Sequence, residues 1–181
     1  MSLSTDDPPV LTALAPGHVT ITAGGASADV TVWPDALPAG TVLWSNPGNG
    51  SGVSSIVPAV PSASGVADMF AFQADGTVAA ITADGLTAWT ADVSNANVSL
   101  ADFQGGLVLW ESVNGTDQIT KVDGLTGLKR VIYTLDSTAT LTGYLAVHPD
   151  GTVFICQQNE TSDYHPLPWT VVGIDSAAGG Q

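Results

Sequence analysis

Four Asp-Gly pairs, Asp75-Gly76, Asp84-Gly85, Asp123-Gly124 and Asp150-Gly151, punctuate a chain whose Val, Thr, Ile and Trp collect in runs of five to eight residues. Asp-Gly suits the positive φ angles of tight reversals, and runs bounded by Gly, Pro, Asn or Asp read as strands. Almost no window carries the i, i+3, i+4, i+7 spacing of an amphipathic helix. The pattern predicts an all-β protein in which each pair reverses a strand, with Asp123-Gly124 opening a longer loop through Thr126-Gly127.

If Asp75-Gly76 and Asp84-Gly85 are both two-residue turns, counting fixes the register. Ala71, Ala80 and Trp89 then share one row, and Phe70, Ile81 and Ala88 the next. Each row sets bulky residues beside small ones, and both faces are apolar, so the meander must be covered on both sides.

Composition supports such a core. Of 181 residues, 44% are hydrophobic and 11% charged, which excludes a coiled coil and a polyampholyte disordered chain. Seventeen acidic residues against three basic ones give a formal charge of −14, and the cations, Lys121, Lys129 and Arg130, fall within ten residues of one another. Nucleic acid and anionic membrane surfaces require a broad cationic face, so neither is an expected partner. Apolar runs such as 66–72 and 107–110 fall far short of the roughly 20 residues that cross a bilayer. Met1 to Pro9 lacks the basic end and apolar stretch of a secretion signal, so any export signal is expected to have been removed ahead of it. The single cysteine, Cys156, allows no internal disulfide and no zinc or iron–sulfur spacing.

From Gly40 onward the strand signals fall into three units. The first holds 54–58, 68–74, 77–83 and 86–93; the second 98–103, 107–112, 118–123 and 128–135; the third 144–148, 152–158 and 170–175, with no fourth strand. Four strands in a period of about 40 to 45 residues match the blades of a propeller. Asp75-Gly76-Thr77-Val78 with Trp89, Val122-Asp123-Gly124-Leu125-Thr126-Gly127, and Asp150-Gly151-Thr152-Val153 with Gly173-Ile174-Asp175 resemble the repeats of quinoprotein-like β-propellers. The resemblance implies a partial propeller of about three four-stranded blades over residues 41–181, the last incomplete. It singles out no cofactor site, so neither a quinone nor a metal is expected.

Residues 1–33 read differently. Leu11 to Ala23 and Ala28 to Trp33, joined through Gly24-Gly25, resemble the closing β-hairpin of a bacterial immunoglobulin-like (Ig-like) domain, with Val19, Ile21, Val30 and Val32 in alternation. Residues 34–40 read as a linker. The segment 40–45 looks like the last strand of a preceding blade, and residues 42–45 are a candidate for the strand missing after Asp175. Three blades close no ring alone, so the chain is expected to be a fragment of a longer propeller or to close one as a homo-oligomer.

Cys156, His148, Asp163 and His165 are the only grouping that suggests nucleophile and base chemistry. A two-residue turn at Asp150-Gly151 sets Leu145 opposite Cys156 and sends Cys156 and His148 to opposite faces, which precludes a thiol–imidazole pair. Asp163, Tyr164 and His165 lie in a loop between Asn159 and Pro168 and form the candidate ligand loop. The aspartates are too dispersed for a calcium loop and are expected to serve hairpin turns. Glu111 and Glu160, the only glutamates, show no partner for glycoside cleavage. Trp33, Trp44, Trp89, Trp110 and Trp169 are expected to pack between sheets rather than stack on sugars. N-glycosylation spacing occurs at Asn49, Asn97, Asn114 and Asn159. The expectation is a non-catalytic recognition, adhesion or scaffold module of an exported bacterial protein, acting at the cell surface on a protein or glycan ligand. The alternatives are a piece of a quinoprotein or lyase-type enzyme whose catalytic residues lie outside this chain, and a protein that self-assembles through open blade edges.

Overall fold

A computed structural model describes residues 2–3, 11–12, 17–23, 25–32, 37–159 and 168–176. They contain strands and turns only, and form two compact units, Met1–Trp44 and Ser45–Gln181. In the first unit β1 (Ser2–Leu3) pairs with β2 (Leu11–Thr12), and β3 (Gly17–Ala23) pairs with β4 (Ala26–Val32). The β3–β4 register sets Val19 opposite Val30 and Ile21 opposite Ala28, so the alternating aliphatic residues share one face. Residues 41–47 form no strand, and Val42 is 78% exposed, so the strand expected over 42–45 is absent.

Three antiparallel sheets make up the second unit. The first is β5 (Val53–Pro58), β6 (Met69–Gln73), β7 (Thr77–Ile81) and β8 (Thr87–Asp92). The second is β9 (Ala96–Ala101), β10 (Leu107–Val113), β11 (Thr116–Val122) and β12 (Lys129–Thr134). The third is β13 (Ala139–Val147), β14 (Thr152–Asn159) and β15 (Thr170–Asp175). Each is a meander with strands in chain order, and none closes on itself.

The hairpins differ from the expected two-residue turns in a uniform way. The loops 74–76, 83–85, 103–105 and 149–151 each hold three residues and end on a glycine with φ between +82° and +97°. That glycine donates its N–H to the residue before the loop: Gly76 to Gln73 at 3.1 Å, and Gly85 to Thr82, Gly105 to Asp102 and Gly151 to His148 at 2.9 Å. This is a turn followed by a left-handed glycine, in which Gly takes the last position and the middle one is Asp75, Asp84 or Asp150 in three of the loops and Gln104 in the fourth. The extra residue shifts the first hairpin by one, so Phe70, not Ala71, faces Ala80. A bulge between Ala80 and Ile81 compensates on the other side, and Ala80 still faces Trp89. Phe70 and Trp89 then meet across the small Ala80, with ring centroids 5.8 Å apart. In the second sheet Asn114-Gly115 is a two-residue turn, with both φ angles positive.

The sheets stack face to face in sequence order. Phe70, Val78, Ala80 and Trp89 of the first sheet pack against Leu107, Leu109 and Val122 of the second. The opposite face of the second sheet, with Val108 and Ile119, packs against Val153, Ile155 and Ile174 of the third. The middle sheet is therefore covered on both sides, and its first strand β9 contacts both β5 and β13. Two features lock the first interface. The Gly124 carbonyl accepts the Trp89 Nε1–H at 3.0 Å and the Val66 N–H at 3.2 Å, and the Trp89 ring lies where a side chain on Gly127 would stand, 2.7 Å from its Cβ position.

Candidate functional site

At one end of this stack the loops β5–β6, β9–β10 and β11–β12 converge with the end of β15. The approach is close because side chains are missing: a Cβ on Gly124 would overlap the carbonyl oxygens of Gly105 and Ser64. Beside this backbone floor lies a cleft of about 340 Å³ lined by Ser64, Gln104, Lys121, Asp123, Gly124, Leu128, Arg130 and Ser176.

The second sheet brings two of the chain's three cations into it. The β11–β12 register sets Lys121 directly opposite Arg130, both on the face toward the third sheet. Lys121 Nζ lies 2.8 Å from Oδ2 of the fully buried Asp102, an ion pair without a well-aligned hydrogen bond. It also donates to Gln104 Oε1 and, at 3.4 Å, to Ser176 Oγ. Arg130 Nη2 donates to the Ser176 carbonyl at 2.8 Å. Asp123 Oδ1 accepts from the Thr126 hydroxyl and from the N–H groups of Thr126 and Leu125. The Thr126 hydroxyl, and to a lesser extent the backbone bonds and the Lys121 charge, hold this carboxyl below its ordinary range.

This cleft was not among the sequence candidates. The spacing of the three cations within ten residues was the available signal, but only pairing geometry separates them. Lys121 and Arg130 face the third sheet, whereas Lys129 points the other way. Lys129 donates to Glu111, whose side chain is 1% exposed, and to the Asp92 carbonyl at 2.9 Å. Glu111 thus has a partner the sequence did not reveal, and its role is an internal ion pair.

The candidate ligand loop Asp163, Tyr164 and His165 lies outside the described residues. The expectation for Cys156 and His148 changes, because the loop 149–151 holds three residues. Leu145 faces Ile155 instead of Cys156, and Cys156 shares the outer face of the third sheet with His148. The two remain about 13 Å apart, four residues along the strand at about 3.3 Å each, with Phe154 between them. His148 Nδ1 instead approaches Asp150 Oδ1 at 2.9 Å. Asp75, Asp92, Asp123, Asp136 and Asp150 all accept local N–H bonds at turns, which accounts for them as turn residues. Among the described residues no group of three His, Cys, Asp or Glu is placed to hold a metal. Trp89 is buried and Trp110 packs against the second core cluster, while Trp169 is 47% exposed and Trp33 lies outside the described residues.

Compared with protein-family models, curated proteins and solved structures, the chain matches none.

Proposed function

We propose that the chain is a non-catalytic recognition, adhesion or scaffold module of an exported protein, built from propeller-type repeats and working at the cell surface. The observation that carries this reading is the face-to-face series of three meanders in chain order, with a donor-rich cleft where their turns converge. A nucleophile needs a base within hydrogen-bond reach, and among the described residues Cys156 and His148 are several residues apart on one strand face. The repeat spacing and the Trp89 contact with the Asp123–Gly127 loop support the propeller reading, and the β3–β4 hairpin supports an Ig-like neighbour. Three basic residues in an acidic chain suit an exported module better than a nucleic-acid binder.

The test is a binding screen of the immobilised chain against a glycan panel and purified surface proteins, with hydrolase, lyase and quinone-dependent dehydrogenase assays run beside it. Saturable binding without turnover is expected; turnover in any of those assays, or no binding at all, refutes the reading.

A second reading, self-association, is favoured by the exposed apolar residues on the outer face of the third sheet. There Tyr144 is 77% and Val171 73% exposed, and Phe154 and Cys156 line the same shallow apolar hollow. Light scattering across a concentration series tests it, and a mass that stays at 18.3 kDa removes it.

A further inference from the structure

We propose that the cleft between the second and third sheets binds a small hydroxylated carboxylic acid about the size of one sugar ring, with Arg130 and Lys121 receiving its carboxylate. This rests on the reading of the chain as a binding module and gives that module a ligand class.

Register supplies the first argument. Lys121 stands directly opposite Arg130 on neighbouring strands, an arrangement that destabilises a sheet because like charges face each other at close range. With only three cations in 181 residues, placing two of them opposite one another concentrates positive charge at a single point of an acidic molecule. Such a local conflict is expected where a site, not stability, sets the residues. Asp102 sits beneath Lys121 and fixes the ammonium, while the Ser176 carbonyl holds Arg130. Arg130 brings a planar guanidinium that matches a carboxylate in shape.

Donor balance supplies the second. Arg130, Gln104, Ser64 and Ser176 bring donor groups to the cleft lining, Lys121 adds its positive charge while its N–H groups serve Asp102, Gln104 and Ser176, and Asp123 is the one lining side chain that only accepts. A ligand rich in acceptors answers this surplus. The formal charges of Lys121, Arg130, Asp102 and Asp123 cancel, however, so a bare anion gains little. A carboxylate carrying hydroxyl groups uses both signs: the acid meets the cations, and a hydroxyl donates to Asp123, which its turn bonds keep ionised. The volume of about 340 Å³ lies at the small end of the ligand-site range of about 300–1,000 Å³, enough for one ring. Leu128, 71% exposed at the rim, offers an apolar edge to the ring's C–H face.

The test titrates the chain with sodium glucuronate, glucose and sodium sulfate at matched ionic strength, by calorimetry and amide chemical shifts. Saturable glucuronate binding is expected, with shifts at Gln104, Lys121, Arg130 and Ser176, and glucose at least tenfold weaker. Arg130→Gln should weaken glucuronate tenfold or more. Leu128→Glu, at an exposed rim position, should weaken it several-fold without moving the thermal midpoint, which keeps the test valid if Arg130→Gln fails to fold. No saturable glucuronate binding, equal affinity for glucose, or unchanged affinity in Leu128→Glu overturns the proposal. Sulfate competing with equal affinity reduces the cleft to a site for an adventitious ion only and overturns it too. If glucuronate fails while a glycan or protein from the screen above binds, the ligand class falls and the binding-module reading stands.

Discussion

Replacing Lys129 by Met removes the cation from a buried carboxylate while keeping most of the side-chain volume. Glu111 is 1% exposed and Lys129 32% exposed, so the pair lies largely outside the screening reach of water. Stranding one partner of such a pair costs about 3–5 kcal/mol, and the Lys129 bond to the Asp92 carbonyl, which ties β12 to the end of β8, is lost as well. Urea unfolding at pH 7, followed by tryptophan fluorescence, should therefore show a loss of that size. The double variant Lys129→Met, Glu111→Met should recover most of the stability, because an apolar pair of similar volume replaces the ion pair. A loss below about 1 kcal/mol in Lys129→Met, or no recovery in the double variant, would refute the burial argument.

Trp89→Phe should cost about 2 kcal/mol, since it removes the bond to the Gly124 carbonyl and opens space over Gly127. Trp110→Phe should cost less, because the buried Trp110 Nε1 has no hydrogen-bond partner among the described residues; thermal melts of the two variants compare them directly. Gly124→Ala should destabilise by more than about 2 kcal/mol, because its Cβ meets the Gly105 and Ser64 carbonyls and backbone has to move. Acid should weaken the fold as pH falls from about 4 toward 2. The turn carboxyls of Asp75, Asp92, Asp123, Asp136 and Asp150 sit below the ordinary value of 3.8, Asp150 at about 2, chiefly through the Thr152 N–H and then His148. Their contribution is present above the unfolded value and lost as each protonates in the folded state. Melting wild type against Asp150→Asn over this range cancels the relief of net negative charge, and the gap between them should narrow as pH falls.

The strand content, the order of the strands and the grouping into sheets of four, four and three were legible because alternation and Gly or Asn punctuation act locally. Register was not. Asp-Gly fits both a two-residue turn and the last two positions of a three-residue loop, and the choice depends on whether the flanking strands need the extra residue. One residue decides whether Phe70 or Ala71 faces Ala80, and whether Cys156 shares a face with His148. The Ala80–Trp89 pair came out as expected because a bulge offset the longer loop, a cancellation that no count of residues contains. The cleft was illegible for the same reason. Lys121, Lys129 and Arg130 look equivalent in sequence, and only the strand faces send two to the cleft and one to Glu111.

The order of the layers is best tested by inter-sheet nuclear Overhauser contacts in the intact chain. Contacts are expected from the Trp89 indole to Gly124 and Gly127 and from the Val108 and Ile119 methyls to Val153 and Ile155, with none joining Phe70 or Trp89 to Val153 or Ile174. Contacts between the Phe70 or Trp89 rings and the Val153 or Ile174 methyls would place the first sheet directly on the third and contradict that order.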